Sequence, residues 1–231
     1  MEDIGRFERE NTVSAEKQVS ELIIRSEADG KPRILFIGNS ITLHGVKPEI
    51  GWHWLWGMAA SAKEKDYVHQ TMRMVHEMTP DAGYMILQAA DWERGFWKAP
   101  EEFEALRIAR EYGADVLVFR LGENVIGEHM KEYDLSAAFE RLIDYLNPEG
   151  CARVIVTDMF WPNPEKDGSA KRAAEAKGAR FVSINQLGTQ DEMKAIGLFE
   201  HAGVAAHPGD LGMLKIAEAI FEEMKDMLKG E

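Results

Sequence analysis

The sequence predicts an α/β protein, a three-layer α/β/α sandwich around a five-stranded parallel sheet. Three observations carry that prediction. Short runs of residues are apolar nearly throughout, which is how strands covered on both faces read. Stretches with apolar residues at helical spacing separate those runs. Gly, Asp or Asn bounds them. Strand and helix alternating in this way require right-handed crossovers, hence a parallel sheet with helices on both faces.

Taken in order, a helix near 14–27 is expected before the first strand, within a helical N-terminal extension over residues 1–31. The first strand, 33–38 ("RILFIG"), runs straight into Gly38-Asn39-Ser40. A helical stretch at 59–78 leads to the strand 83–88 ("GYMILQ"), and another at 100–112 leads to 115–121 ("DVLVFRL"). In 134–147, Leu135, Ala138, Phe139, Leu142, Ile143 and Leu146 share one helix face. The strand 153–158 ("RVIVTD"), a helix at 165–177 and the strand 180–183 ("RFVS") complete the sheet. In the last helix, at 210–229, Met213, Ile216, Ala217, Ile220, Phe221 and Met224 form an apolar stripe. Asp210 suits its N-cap, because a carboxylate there accepts backbone N–H groups at the positive end of the dipole. The whole chain of 231 residues reads as one domain.

Composition narrows the function. Hydrophobic residues make up 45% and charged residues 29%, so a sizeable core forms without staples. A net charge of -13 repels phosphate backbones and anionic bilayers, so neither nucleic acid nor a membrane is an expected partner. One cysteine, Cys151, allows no intramolecular disulfide and is expected as a small core residue. The start, "MEDIGRFERE", lacks the basic and apolar regions of a signal peptide, so a cytoplasmic location is expected. No stretch approaches the ~20 apolar residues of a membrane span.

In a parallel sheet, sites form at the carboxyl ends of the strands. Ser40 lies just beyond the first of those ends, and Gly122-Glu123-Asn124 beyond the third. Acyl transfer by serine needs a hydroxyl, a base to take its proton, and donors for the oxyanion. Ser40 supplies the hydroxyl. His207, in the loop "GVAAHPGDLGM" before the last helix, is the candidate base. The side chain of Asn124 and backbone N–H groups near Ser40 and Gly57 are the candidate donors.

These blocks resemble the SGNH hydrolases, also called GDSL-type esterases, and the resemblance runs from Ile34 to the last helix. Gly38-Asn39-Ser40 matches the G-D-S or G-N-S nucleophile block. Gly57 in "LWGMAAS" looks like the oxyanion glycine, Gly122-Glu123-Asn124 like the start of G-x-N-D, and His207-Pro208 like the end of D-x-x-H-P. The resemblance implies a flavodoxin-like strand order of 2-1-3-4-5. It also implies hydrolysis of a small, acetyl-like ester by Ser40 and His207, with Ser40, Gly57 and Asn124 around the oxyanion.

The chain departs from the family pattern in two places. Val125 follows Asn124 where Asp is usual, which touches loop structure more than chemistry. Val204 stands three residues before His207, where the acid that orients the histidine normally sits. Glu200, Glu123 or a backbone carbonyl could replace it, and Glu200, upstream in the same loop, is favoured. Without any such acid the chain would work as a Ser-His dyad. Asp210 is assigned to the helix cap instead.

Trp52, Trp54 and Trp56 at period-2 spacing fall on one side of an extended segment. They serve either as packing or as an aromatic wall for a substrate, with Trp161, Trp92 and Trp97 as further contributors. Trp54, Trp56 and Trp161 are the candidates for substrate contact, and indole faces suit a sugar. The remaining histidines are scattered without metal-ligand spacing, and no phosphate-binding glycine loop is present, so neither a metal nor another cofactor is expected. The expected partners are an acylated small molecule, a sugar ester first, and a second copy of the chain in a homo-oligomer. Two other readings share these residues: an acyltransferase, and a ligand-binding module of this fold whose catalytic set has decayed.

Overall fold

The computed structural model describes residues 22–26, 28 and 30–229. Six strands form one sheet: β1 (Ile23–Arg25), β2 (Gly30–Gly38), β3 (Ala82–Gln88), β4 (Val116–Arg120), β5 (Arg153–Thr157) and β6 (Arg180–Val182). Their order is β1-β3-β2-β4-β5-β6. The five strands β2 to β6 are parallel and follow the order implied by the resemblance. The sheet has one strand more than the sequence predicts. β1 adds antiparallel to the edge of β3, pairing Ile23 with Leu87 and Ile24 with Ile86. Of the helix expected near 14–27, residues 14–21 lie outside the described residues and 23–25 are this strand. Adjacent β-branched isoleucines suit a sheet edge, and over so short a run periodicity does not separate strand from helix.

The central parallel strands β2 and β4 bury both faces. Leu35, Ile37, Leu117 and Phe119 face one apolar cluster with α3 (Glu104–Glu111), α4 (Leu135–Leu146) and α5 (Pro164–Ala176). The intervening Ile34, Phe36, Val116 and Val118 face a second cluster with α1 (Tyr67–Met78) and α7 (Asp210–Leu228). That alternation explains runs such as "ILFI": every residue is core, on one side or the other. A short helix, α2 (Ala90–Arg94), follows β3, and another, α6 (Ala202–Ala205), precedes α7.

Three local expectations change. The helix predicted from 59 starts only at Tyr67, because a loop and a 3₁₀ turn (Lys63–Lys65) come first and Asp66 caps α1 through the His69 N–H at 2.8 Å. Asp210 is not the N-cap of α7; Gly209 is. The Asp210 carboxylate instead accepts from the Ser61 N–H (2.8 Å), the Ser61 hydroxyl (2.7 Å) and Lys65 Nζ (2.8 Å), strapping that loop to the last helix. Cys151 is exposed, in the turn before β5, where its thiol reaches the Glu149 carbonyl at 3.4 Å. An apolar strand begins two residues later, and the prediction extended the core too far back.

Candidate active site

The carboxyl ends of β2 and β4 lie side by side, with Gly38 paired to Arg120. Ser40 leaves the first end and Asn124 the second. His207 comes from the loop between α6 and α7 and places its Nε2 2.8 Å from the Ser40 hydroxyl. Ser40, Asn124 and His207 line one cavity of about 210 Å³, together with His44, Met58 and Arg94. The topology thus brings together three residues that are 84 and 83 positions apart in sequence.

The acid missing at Val204 is replaced by the main chain. His207 Nδ1 lies 2.7 Å from the Gly203 carbonyl oxygen. A carbonyl only accepts, so Nδ1 carries the proton and Nε2 presents its lone pair to the Ser40 hydroxyl. This tautomer is the one a general base needs. Glu200, the favoured replacement, is exposed and lines a neighbouring cavity. Glu123 is committed elsewhere. The α6 turn holds Gly203 in place, with the His201 imidazole accepting the Val204 N–H at 3.3 Å. A Cβ on residue 203 would come within 2.9 Å of His201 Cε1, so only glycine seats there without a shift.

The neutral partner has an electrostatic consequence. Desolvation pushes the His207 pKa down to about 4; the Gly203 carbonyl opposes this, and His44, Arg120 and His201 push the same way. A carboxylate would have held the imidazolium far better than a carbonyl dipole does. The imidazole is therefore neutral, ready to accept a proton, at any pH near 7.

Beneath Ser40 lies a polar floor in which Asn39, Glu93 and Arg120 are fully buried. The Arg120 guanidinium pairs with Glu123 at 2.7 Å and donates to Asn39 Oδ1 at 2.9 Å. Asn39 Nδ2 donates to Glu93 (2.9 Å) and to Glu123 (2.6 Å). This network explains G-N-S in place of G-D-S. An Asp at 39 would put a third carboxylate against one arginine, whereas the amide supplies a donor to each acid and an acceptor to the cation. Glu93 also accepts from the Gly122 N–H at 2.6 Å and from Asn124 Nδ2 at 2.5 Å. Burial, then the Glu123 charge, raise its pKa against these three hydrogen bonds. Gly122 adopts φ +133°, and a Cβ there would strike Met159 at 2.3 Å. Val125, where Asp is usual, is buried in the apolar cluster under α4.

Gly57 does not fill the expected role in the oxyanion hole, because its N–H is spent on Asp66 at 3.2 Å. The N–H groups of Ser40 and Ala59 carry no hydrogen bond to any described residue. Ala59 is buried and has φ +74°, the only non-glycine positive φ among the described residues. Such a conformation costs an alanine on the order of 1–2 kcal/mol. Its neighbour Met58 lines the cavity and bonds the Ser40 carbonyl through its N–H at 2.8 Å. Nothing in an alanine codon signals a left-handed residue, which is why the neighbouring glycine is the natural choice from sequence.

The tryptophans divide. Trp52 is fully buried in a third apolar cluster with Met58, Ala59, Ala195 and Val204. Trp56 stacks on Trp54 (centroids 5.5 Å, 27°) and donates to the Ala60 carbonyl at 3.0 Å, so it packs and does not line the catalytic cavity. Trp161 meets the His207 ring edge-on at 5.0 Å and donates to the Ala206 carbonyl at 3.2 Å, so it braces the base. Trp54 lines a second cavity of about 670 Å³ with Ile50, Leu198, Phe199, Glu200 and His201. Ile50 and His201 also line the first cavity, so the two adjoin. Trp92 and Trp97 lie in or against the core under α4. Among the described residues no three His, Cys, Asp or Glu side chains are grouped to hold a metal ion.

No family model matches the sequence, and no curated protein matches it. Solved structures do match the fold. A family two carbohydrate esterase from Cellvibrio japonicus superposes with a TM-score of 0.54 at 12% identity, covering 86% of this chain and 62% of that one. The salicylyl-acyltransferase SsfX3 from a tetracycline biosynthetic pathway gives 0.53 at 16%, covering 86% and 56%. The acetyl xylan esterase AlAXEase gives 0.53 at 13%, covering 83% and 98%. The chain thus spans only about three-fifths of the length of the first two. At these identities the shared property is the fold.

Proposed function

We propose that this chain is a serine hydrolase acting on carboxylic esters through an acyl-enzyme. The carrying observation is the relay Ser40 Oγ to His207 Nε2 at 2.8 Å, with His207 Nδ1 on the Gly203 carbonyl at 2.7 Å. Ser40 attacks the ester carbonyl while His207 takes the hydroxyl proton. Charge on the carbonyl oxygen meets the Ser40 N–H, the Ala59 N–H and the Asn124 amide. The tetrahedral intermediate collapses, and His207 returns the proton to the leaving alcohol. Water, activated by the same histidine, then releases the acid and frees Ser40.

The finer reading is a small, acetyl-like acyl group on a sugar. The 210 Å³ cavity at Ser40 suits a short acyl chain, and the adjoining 670 Å³ cavity, with Trp54 in its wall, suits a larger alcohol. Two of the similar structures carry names of carbohydrate ester hydrolases, which supports this choice. Acyl transfer to a second alcohol uses the same residues, and a bearer of this fold named as an acyltransferase keeps that reading alive.

Hydrolysis of p-nitrophenyl acetate by wild type and Ser40→Ala tests the proposal, alongside labelling by a fluorophosphonate. Turnover and labelling that both vanish in Ser40→Ala are the expected result. A wild type as unreactive as Ser40→Ala would mean a ligand-binding module instead. Product analysis with a competing alcohol separates transfer from hydrolysis.

A further inference from the structure

The buried floor contains a carboxyl group that the proposed mechanism leaves unused. Glu93, on α2, is fully buried, and its contacts are all N–H donors: Asn39 Nδ2 (2.9 Å), the Gly122 N–H (2.6 Å) and Asn124 Nδ2 (2.5 Å). The Arg120 guanidinium bonds Glu123 and Asn39 instead. Two of the three groups that Glu93 holds belong to the segment 122–124 that carries the oxyanion donor.

An asparagine amide has two nearly isosteric ends, and only one is useful here. Turned one way, Nδ2 offers a hydrogen to the oxyanion. Turned the other way, Oδ1 faces the developing negative charge and repels it. Nothing in Asn124 itself chooses between them. A carboxylate oxygen at 2.5 Å does choose, because it accepts and so demands the NH₂ end. Its other oxygen pins the Gly122 N–H and with it the backbone from which Asn124 projects.

We propose that Glu93 is a positioning residue that sets the amide of Asn124 with its NH₂ end toward the oxyanion. This rests on the serine-hydrolase reading above and adds to it a residue from outside the four sequence blocks. Glu93 touches neither substrate nor nucleophile. Its effect passes entirely through residue 124.

The test is a cycle of Glu93→Gln and Asn124→Ala, followed by kcat and KM on p-nitrophenyl acetate. Gln keeps the shape, and since the Gly122 N–H and Asn39 Nδ2 claim its carbonyl oxygen, its NH₂ stands opposite that of Asn124 and forces the amide to turn over. Glu93→Gln is expected to lower kcat by about 10²-fold, as Asn124→Ala does, with KM within about twofold. In the Asn124→Ala background it should cost less than about twofold more, since the residue it acts through is gone. Wild-type kcat in Glu93→Gln, or losses that multiply in the double variant, would overturn the inference. If Glu93→Gln does not fold, Glu93→Asp makes the same measurement, because it withdraws the carboxylate by one methylene; the same kcat loss is expected, and an unchanged kcat overturns the inference. Fluorophosphonate labelling of wild type separates the two levels. An unlabelled wild type removes the serine reading and this inference with it, whereas a labelled wild type with a fully active Glu93→Gln removes this inference alone.

Discussion

The two halves of the site are held by opposite means. Ser40 and Asn124 stand on a floor of ions and amides, in which Arg120, Glu123, Glu93 and Asn39 are joined by hydrogen bonds. His207, the proposed base, stands on a single backbone carbonyl and the edge of one indole. The floor is stiff, and removing one member leaves charge stranded in the interior. The base side involves no charge. The comparison teaches that orientation and charge stabilisation are separable tasks. A carbonyl sets the tautomer of a histidine as well as a carboxylate does, but it leaves the imidazolium less supported.

The largest expected break falls on the base side. His207→Ala should lower kcat by about 10⁴-fold or more, read on p-nitrophenyl acetate, with the fold intact by circular dichroism. On the floor, Arg120→Met should cost stability and not merely rate. Glu123 and Asn39 would lose the guanidinium they bond, and a loss of roughly 3–5 kcal/mol is expected in urea unfolding. Gly203→Ala pushes a Cβ toward His201 and shifts the carbonyl that orients the base. A fall in kcat of about tenfold, with unfolding free energy changed by about 1 kcal/mol or less, is expected.

Acidity probes the same contrast without a substitution. With the His207 pKa at about 4, the base stays neutral through mildly acidic solution. The acid limb of kcat/KM should fall near pH 4 instead of near the ordinary imidazole value of about 6.5. The same shift has a sign for stability. The unfolded chain binds this proton below about pH 6.5 and the folded one only below about 4, so this contribution is full above 6.5 and is lost as the pH falls toward 4. The smallest effect belongs to Glu200→Ala. Its side chain is exposed and away from His207, so kcat should stay within about twofold of wild type. A larger loss would mean that Glu200 reaches the histidine during turnover.

Where the sequence was read correctly, side chains carried the information. Runs such as "ILFI" and "VLVF" announced strands buried on both faces, and Ser40, Asn124 and His207, picked out by type and position, line one cavity beyond the strand ends. Where it was misread, the main chain carried it. Every residue has a carbonyl, so nothing marks the one at Gly203. Every non-proline residue has an N–H, so Gly57 drew attention while Ala59 holds the left-handed turn. Asp210 looked like a cap because caps are local, whereas its true partners, Ser61 and Lys65, lie about 145–149 positions away. Glu93 was overlooked for the same reason: its role comes from a contact 31 residues away in sequence.

The extra strand β1 bears on how copies of this chain meet. It closes the β3 edge of the sheet, and β6 closes the other, each with three residues. Short edges that carry an arginine, Arg25 on one and Arg180 on the other, make poor templates for a foreign strand. Growth of the sheet from molecule to molecule is thereby disfavoured at both edges of the described sheet. The helical layers and loops offer better contact surfaces between copies than these two edges do.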